Sequence, residues 1–268
     1  MKLTRFLGLL LLPIWLLAIP AAANAPTEHL FSEGVAALQK GDFPTAIDAF
    51  EALADRGVVH PDASYNRALA YIGRAKSSAE RPGDLGRAAA ALEETLQNRP
   101  DDEDAKLALE VVRAEVAKKR ARRGAEAEVE ARPTLDRAVL GLASERTWAI
   151  LAAFGSTLLT LGLALRRAQR ESPAHLAGTI AVPVGAVALL LFGGLAWGAR
   201  QLRTTTEPAV VVASEARLTD ERGIPVGQAS IPEAAKVEVH ERRGALVFVR
   251  WGSTTGWISV RDLRFLPR

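Results

Sequence analysis

Three long apolar runs and two stretches of patterned sequence divide the chain. The first run, Phe6 to Ile19, follows Lys2 and Arg5 and gives way to Ala21, Ala22 and Ala23. A positive start, an apolar stretch and a small-x-small site predict a secretory signal over 1–23, cut after Ala23. Cleavage after Ala25 would set Pro26 just past the cut, which is sterically poor. The second run, Thr147 to Leu165, and the third, Leu176 to Ala199, carry no charge. About 20 apolar residues cross a bilayer as a helix, so 147–165 and 176–199 are expected to be transmembrane spans. The turn between them, 166–175, holds Arg166, Arg167 and Arg170 against Glu171 alone. Positive residues stay on the cytoplasmic side, so the turn is placed inside and both flanking segments outside. A hairpin brings Trp148 and Trp197 to one membrane surface. Pro183 predicts a kink, and Gly194 with Gly198 predicts a close-packing surface within the hairpin.

Residues 26–120 are rich in alanine and leucine with helical periodicity, broken at Gly41, Gly57, Pro61, Pro82-Gly83 and Pro100. The helices between these breaks are short and fall in pairs. Asp101 to Asp104 open a further helix, Ala105 to about Lys119, as acids stabilise a helix N-terminus. The same four acids lack the alternating ligands and central glycine of a calcium loop. Residues 121–146 read as a charged linker broken at Pro133, and 200–207 as a second linker. From 208 to 268 the period changes. Ala209 to Ala213 is a valine-rich strand; Lys236 to His240 and Ala245 to Trp251 alternate; Gly256 to Val260 follows a Gly-Ser-Thr-Thr turn. Short strands at this spacing predict a small β-barrel.

Composition removes whole classes of function. Cysteine is absent, which excludes disulfides, thiolate metal sites and a cysteine nucleophile. The four histidines, His29, His60, His175 and His240, lack the spacing of a metal pair. Residues 24–146 carry 18 basic and 22 acidic side chains, and 200–268 carry 11 and 8. Neither part has the basic excess of a nucleic-acid binder. No segment pairs a nucleophile with a base or offers a phosphate loop, so no enzyme activity, metal or cofactor is expected.

The helical part resembles the tetratricopeptide repeat. Gly34, Gly41-Asp42-Phe43, Ala46, Ile47 and Phe50 form one copy. Tyr65-Asn66, Ala68, Ala70-Tyr71, Gly83-Asp84-Leu85, Ala88, Leu92 and Pro100 form a second, with about eight extra residues from Arg74 to Arg81 against the usual period of 34. Small residues at Gly34, Ala46, Ala68 and Ala88 let paired helices close, while Phe43, Phe50, Tyr65 and Tyr71 fill the spaces between pairs. The resemblance implies a concave groove for a protein segment, lined by Phe31, Val35, Tyr65, Asn66 and Leu69. Packing between helices is the equally weighted alternative for these side chains. The carboxylate clamp of some repeats is not expected, because Phe31 and Asp104 stand where lysines would.

The C-terminal part resembles a bacterial SH3-like domain, on Gly256-Trp257-Ile258 and the closing Asp262-Leu263. Glu233-Ala234-Ala235 stands where many such domains have a glycine. That resemblance implies Trp251 and Trp257 as contact residues, with a place in the barrel core as the alternative. Signal, repeats, two spans and barrel together resemble the BatE-type proteins of bacterial aerotolerance (Bat) operons. The expected fold is therefore multidomain: an α-helical tetratricopeptide-repeat solenoid, a two-helix transmembrane hairpin and a small all-β SH3-like barrel. The family implies an inner-membrane scaffold with extracytoplasmic domains, working with von Willebrand A-type Bat proteins and a MoxR-type ATPase in stress tolerance or envelope maintenance. A peptidoglycan-binding adaptor and an accessory chaperone subunit of a secretion or assembly system are the alternatives.

Overall fold

The computed structural model describes residues 25–124 and 128–267; the expected signal at 1–23 lies outside them. The first five helices are α1 (Ala25–Gln39), α2 (Phe43–Asp55), α3 (Pro61–Ala75), α4 (Asp84–Asn98) and α5 (Glu103–Arg122). Most of their ends fall at the predicted breakers; α3 stops short of Pro82, and α5 ends where no breaker was predicted. Gly41, Gly57 and Gly83 turn the chain at φ +74°, +74° and +84°, a region that an L side chain enters only at a cost. Asp42 caps α2 by accepting the Thr45 N–H (3.3 Å), and Asp102 caps α5 by accepting the Ala105 N–H (3.0 Å). Asp84 behaves differently. It is already helical, and its carboxylate accepts the Arg81 N–H (2.9 Å) and two guanidinium N–H groups of Arg74 (2.6 and 3.0 Å). The extra residues after Arg74 form a loop, since α3 stops at Ala75.

Close approach explains the small residues. A Cβ on Gly34 would sit 2.8 Å from the Phe50 ring, and one on Gly73 2.1 Å from Phe43. Ala46, Ala68 and Ala88 are fully buried, and Phe50, Leu53, Leu92 and Val112 fill the core around them.

Seven antiparallel strands follow: β1 (Glu207–Val211), β2 (Glu215–Thr219), β3 (Pro225–Pro232), β4 (Lys236–Arg243), β5 (Leu246–Trp251), β6 (Thr254–Ser259) and β7 (Leu263–Phe265). Their order is β3-β2-β6-β5-β4-β1-β7. One face of the sheet curls around a single core that includes Val211, Leu218, Ile231, Val237, Val249 and Ile258. β2 and β3 were not expected: Pro225, Gly227 and Pro232 interrupt the pattern of β3, and β2 is short, with only Ala216 and Leu218 turned inward. Strand β1 is buried on both faces: Ala209 and Val211 enter the sheet core, while Val210 joins the helical core with Ala234 and Leu266. The sheet therefore sits directly on α4.

Helices α7 (Glu145–Leu165) and α8 (Pro173–Thr205) form an antiparallel hairpin, each long and apolar enough to cross a membrane. Trp148 stacks on Phe192 at 6.0 Å, which brings the start of α7 beside the end of α8. Trp148 is buried and Trp197 is exposed. The seam is made by Gly155 and Gly162 on α7 and Gly178 and Gly185 on α8. Added Cβ atoms there would meet the facing backbone at 2.5–2.9 Å. The expected pair is not in it: Gly194 faces open space, and Gly198 faces Leu140. An unbroken apolar run does not tell which of its glycines face the partner helix. The seven-residue spacing within each helix keeps the seam glycines on one stripe.

The two expected linkers are corrected. Helix α8 runs on through Pro183 and past Arg200 and Arg203 to Thr205, leaving only Thr206 before β1. The polar residues after Ala199 end the apolar run but remain good helix formers. In the 121–146 segment, Val129 is buried in the helical core, and α6 (Leu135–Leu140) lies against α8 through the Leu140–Gly198 contact.

The seam predicts a contrast. Gly185→Val, forced against the Leu159 backbone, should destabilise the hairpin by about 1–3 kcal/mol. Gly194→Val, pointing into open space, should leave the melting temperature in detergent unchanged. Equal behaviour of the two variants would contradict the seam.

Candidate functional site

Helix α1 lies against α3, so the five expected groove residues fall on adjoining faces. They differ in freedom. Phe31 stands edge-on to Phe50 at 6.1 Å, and Phe31, Val35 and Tyr65 pack partly into the helical core. Asn66 and Leu69 are half-buried, and Leu69 lies outside that core cluster. The Tyr65 hydroxyl has its pKa raised by partial burial and by the charges of Asp104 and Asp102, which places it beside the start of α5. On α5, Asp104, Leu107 and Val111 share a face, and Leu107 (62% exposed) and Val111 (48%) are open to solvent. Sequence reasoning missed these two. Their signal was apolar spacing out of phase with the buried Leu109, Val112 and Val116.

The second feature is the joint between helices and sheet. A Cβ on Gly83 would reach within 2.2 Å of the Val212 carbonyl oxygen, and one on Gly86 within 2.6 Å of the Val211 carbonyl oxygen. Backbone meets backbone only because these two residues lack side chains. The Gly86 N–H donates to the Glu233 carboxylate (2.8 Å). Burial pushes the Glu233 pKa up, more than the Gly86 N–H and Lys119 pull it down; Asp84 and Glu80 add to the rise. Ala234, next in the chain, is held at φ +64°, a conformation that favours glycine, within the Glu233-Ala234-Ala235 stretch where the resemblance would put one.

Ion pairs surround the joint. Glu93 on α4 pairs with Lys236 of β4 (2.6 Å) and with Arg113 of α5 (2.9 Å). Glu51 accepts from Arg264 of β7 and from the Tyr71 hydroxyl, both at 2.9 Å. Burial first, and then the Glu51 charge, raise the Tyr71 pKa. Arg67 pairs with Glu94 (2.7 Å), which also accepts from Ser64 (2.5 Å). Arg120, at the far end of α5, reaches Glu215 of β2 (3.7 Å), and Lys119 pairs with Glu80. Two cations of the run Lys118-Lys119-Arg120 thus engage protein acids. None of this pairing follows from sequence, because each pair joins separate elements.

The two expected tryptophan contacts part company. Trp257 is buried, against Phe248 (5.5 Å between ring centres) and under the Arg243 guanidinium (5.1 Å). It has little surface left for a partner. Trp251 is half-buried and lines a cleft of about 1570 Å³ between the 129–141 segment, the end of α8 and strands β4 and β5. Among the described residues no group of three histidines or acids is placed to hold a metal.

Comparison of the chain with protein-family models, with curated proteins and with solved structures gives no match.

The joint carries a pH prediction. A carboxyl group whose folded pKa is raised stabilises the fold fully below its unfolded value, near 4.5, and that contribution is lost as pH rises through the folded value. Glu233→Gln keeps an acceptor for the Gly86 N–H but carries no charge. The variant should therefore match the native chain in thermal stability near pH 4 and exceed it near pH 7. A variant less stable at both pH values would contradict this assignment.

Proposed function

We propose that the chain is a membrane-anchored protein-interaction scaffold of the BatE type, with its helical and sheet parts facing the outside of a bacterial inner membrane. On this reading the helices are tetratricopeptide repeats and the curled sheet is an SH3-like barrel. The Gly34–Phe50 contact and the buried Ala46 and Ala68 support the repeat reading. The arginine-rich turn at 166–170 supports the orientation.

The observation that carries the proposal is the joint. Helices and sheet share one core through Val210, Ala234 and Leu266, and the sheet follows α8 with one residue between. A scaffold needs such rigidity, because fixed presentation lowers the entropic cost of binding. The exposed Leu107 and Val111 on α5, with the half-buried Leu69 on α3, are the apolar side chains offered to a partner. A von Willebrand A-type Bat protein is the partner class that this reading names.

Crosslinking with a membrane-impermeant reagent on spheroplasts tests it. The native chain should trap a protein partner from outside. Leu69→Ala should lower the yield about tenfold, as expected for loss of roughly 1.4 kcal/mol of apolar contact. No crosslink from the outer side, or an equal yield from the variant, would contradict the proposal. Recovery of peptidoglycan instead of protein would favour a wall-binding adaptor.

A further inference from the structure

The cleft beside Trp251 has a composition that the scaffold reading does not use. Five cationic side chains line it, Arg113, Arg137, Arg203, Lys236 and Arg250, against three acids, Glu93, Glu130 and Glu238. Arg137 donates through Nη2 to Glu238 (2.7 Å), while its Nε and Nη1 are buried with no hydrogen-bond partner among the described residues. Arg113 Nε is in the same condition. Arg250 forms no ion pair among the described residues. Both guanidiniums also hold carboxylates, Arg113 those of Glu93 and Glu130 and Arg137 those of Glu238 and Asp136, so the donors left over reach an oxyanion in the cleft only on a side-chain rotation, beside the unpaired Arg250.

The other walls are apolar. Leu140, Leu202, Val129, Pro133 and Pro208 line the same cleft. Its floor is the last turns of α8, which lead without interruption into the apolar hairpin. Position relative to the hairpin is fixed by Leu140 on Gly198 and by the Trp148 indole N–H donating to the Leu140 carbonyl (3.4 Å), while Arg203 with Glu145 (2.9 Å) ties the two hairpin helices together at that end. Next to the cleft, Leu135 (86% exposed) and Val139 (44%) share one side of α6, and Leu142 (77%) follows just past its end. Such side chains at the end of a membrane hairpin suit the boundary between headgroups and acyl chains.

We propose that this cleft binds the phosphate headgroup of an anionic glycerophospholipid, with Arg137 and Arg250 on the phosphate and Leu140 and Leu202 along the first acyl carbons. A free phosphate ion shares the oxyanion chemistry but leaves the apolar walls unused, so the lipid is the committed ligand. The proposal rests on the hairpin being membrane-embedded, and on nothing about the protein partner.

The test uses the full chain in nanodiscs of phosphatidylcholine with a minor fraction of phosphatidylglycerol, reading the lipids retained after extraction into detergent by native mass spectrometry. The native chain should retain phosphatidylglycerol at least tenfold over its share of the bilayer. Arg250→Gln, which breaks no ion pair, should reduce that enrichment several-fold, and Arg137→Gln with Arg250→Gln should abolish it. Arg166→Gln with Arg167→Gln, at the opposite end of the hairpin, should leave it largely intact. Enrichment that survives the cleft variants, or follows the turn variants instead, would overturn the proposal. So would inorganic phosphate alone raising the melting temperature as much as phosphatidylglycerol does. Failure of the chain to enter nanodiscs would overturn the membrane reading, and the lipid site with it.

Discussion

The union of helices and sheet depends on one backbone contact, where the glycine edge of α4 meets the end of β1. Gly83 and Gly86 let the Val211 and Val212 peptides approach the helix more closely than any side chain would allow. Glu233 completes the contact by accepting the Gly86 N–H. Without that approach, Val210, Ala234 and Leu266 would lose the helical core they complete. The result is one body built from two secondary-structure classes, carried on the hairpin through the short α8–β1 junction.

The charged groups around the joint fix its geometry more than they add net stability. Arg67 and Glu94 are nearly fully buried, and so are Arg74 and Asp84. Removing such ions from water offsets most of their mutual attraction. Breaking one partner is still costly, because the other is then left buried and unpaired. Glu51 and Glu93 each tie α-helical residues to a cation on the sheet, Arg264 and Lys236. These pairs select one orientation of sheet on helices from the many that apolar contact alone would accept.

Much of the fold was legible in the sequence, for identifiable reasons. Glycine and proline marked most of the ends of α1 to α4 and the start of α5, and the two uncharged runs located the hairpin. Strands β4 to β6 announced themselves by alternation, whereas β3 was hidden by Pro225, Gly227 and Pro232, and β2 by its shortness, with only Ala216 and Leu218 turned inward. What was not legible is contact between distant segments. The glycine seam of the hairpin could not be told from the other glycines of the same runs. The 121–146 segment read as solvated because its charges are obvious, while the single buried Val129 is not. Two local signals did point to the joint. A glycine inside α4 costs about 1 kcal/mol relative to alanine and calls for a packing reason. A strand apolar on both faces, Ala209 to Val212, calls for a covering layer on each side. Of the candidate site residues, Leu69 is half-buried outside the helical core and Trp257 is buried, and the exposure of Leu107 and Val111 emerges only from the folded arrangement.

The account stands or falls on whether helices and sheet are one body, and Gly86→Ala separates that claim from helix stability. Alanine favours α4 itself by about 1 kcal/mol, but its Cβ would collide with the Val211 carbonyl oxygen. Hydrogen exchange of the full chain in detergent reads both effects. The account predicts faster exchange in the segments 83–92 and 207–213 together, with helix content retained and a lower melting temperature. Unchanged exchange in both segments, with the variant as stable as the native chain or more so, would contradict it.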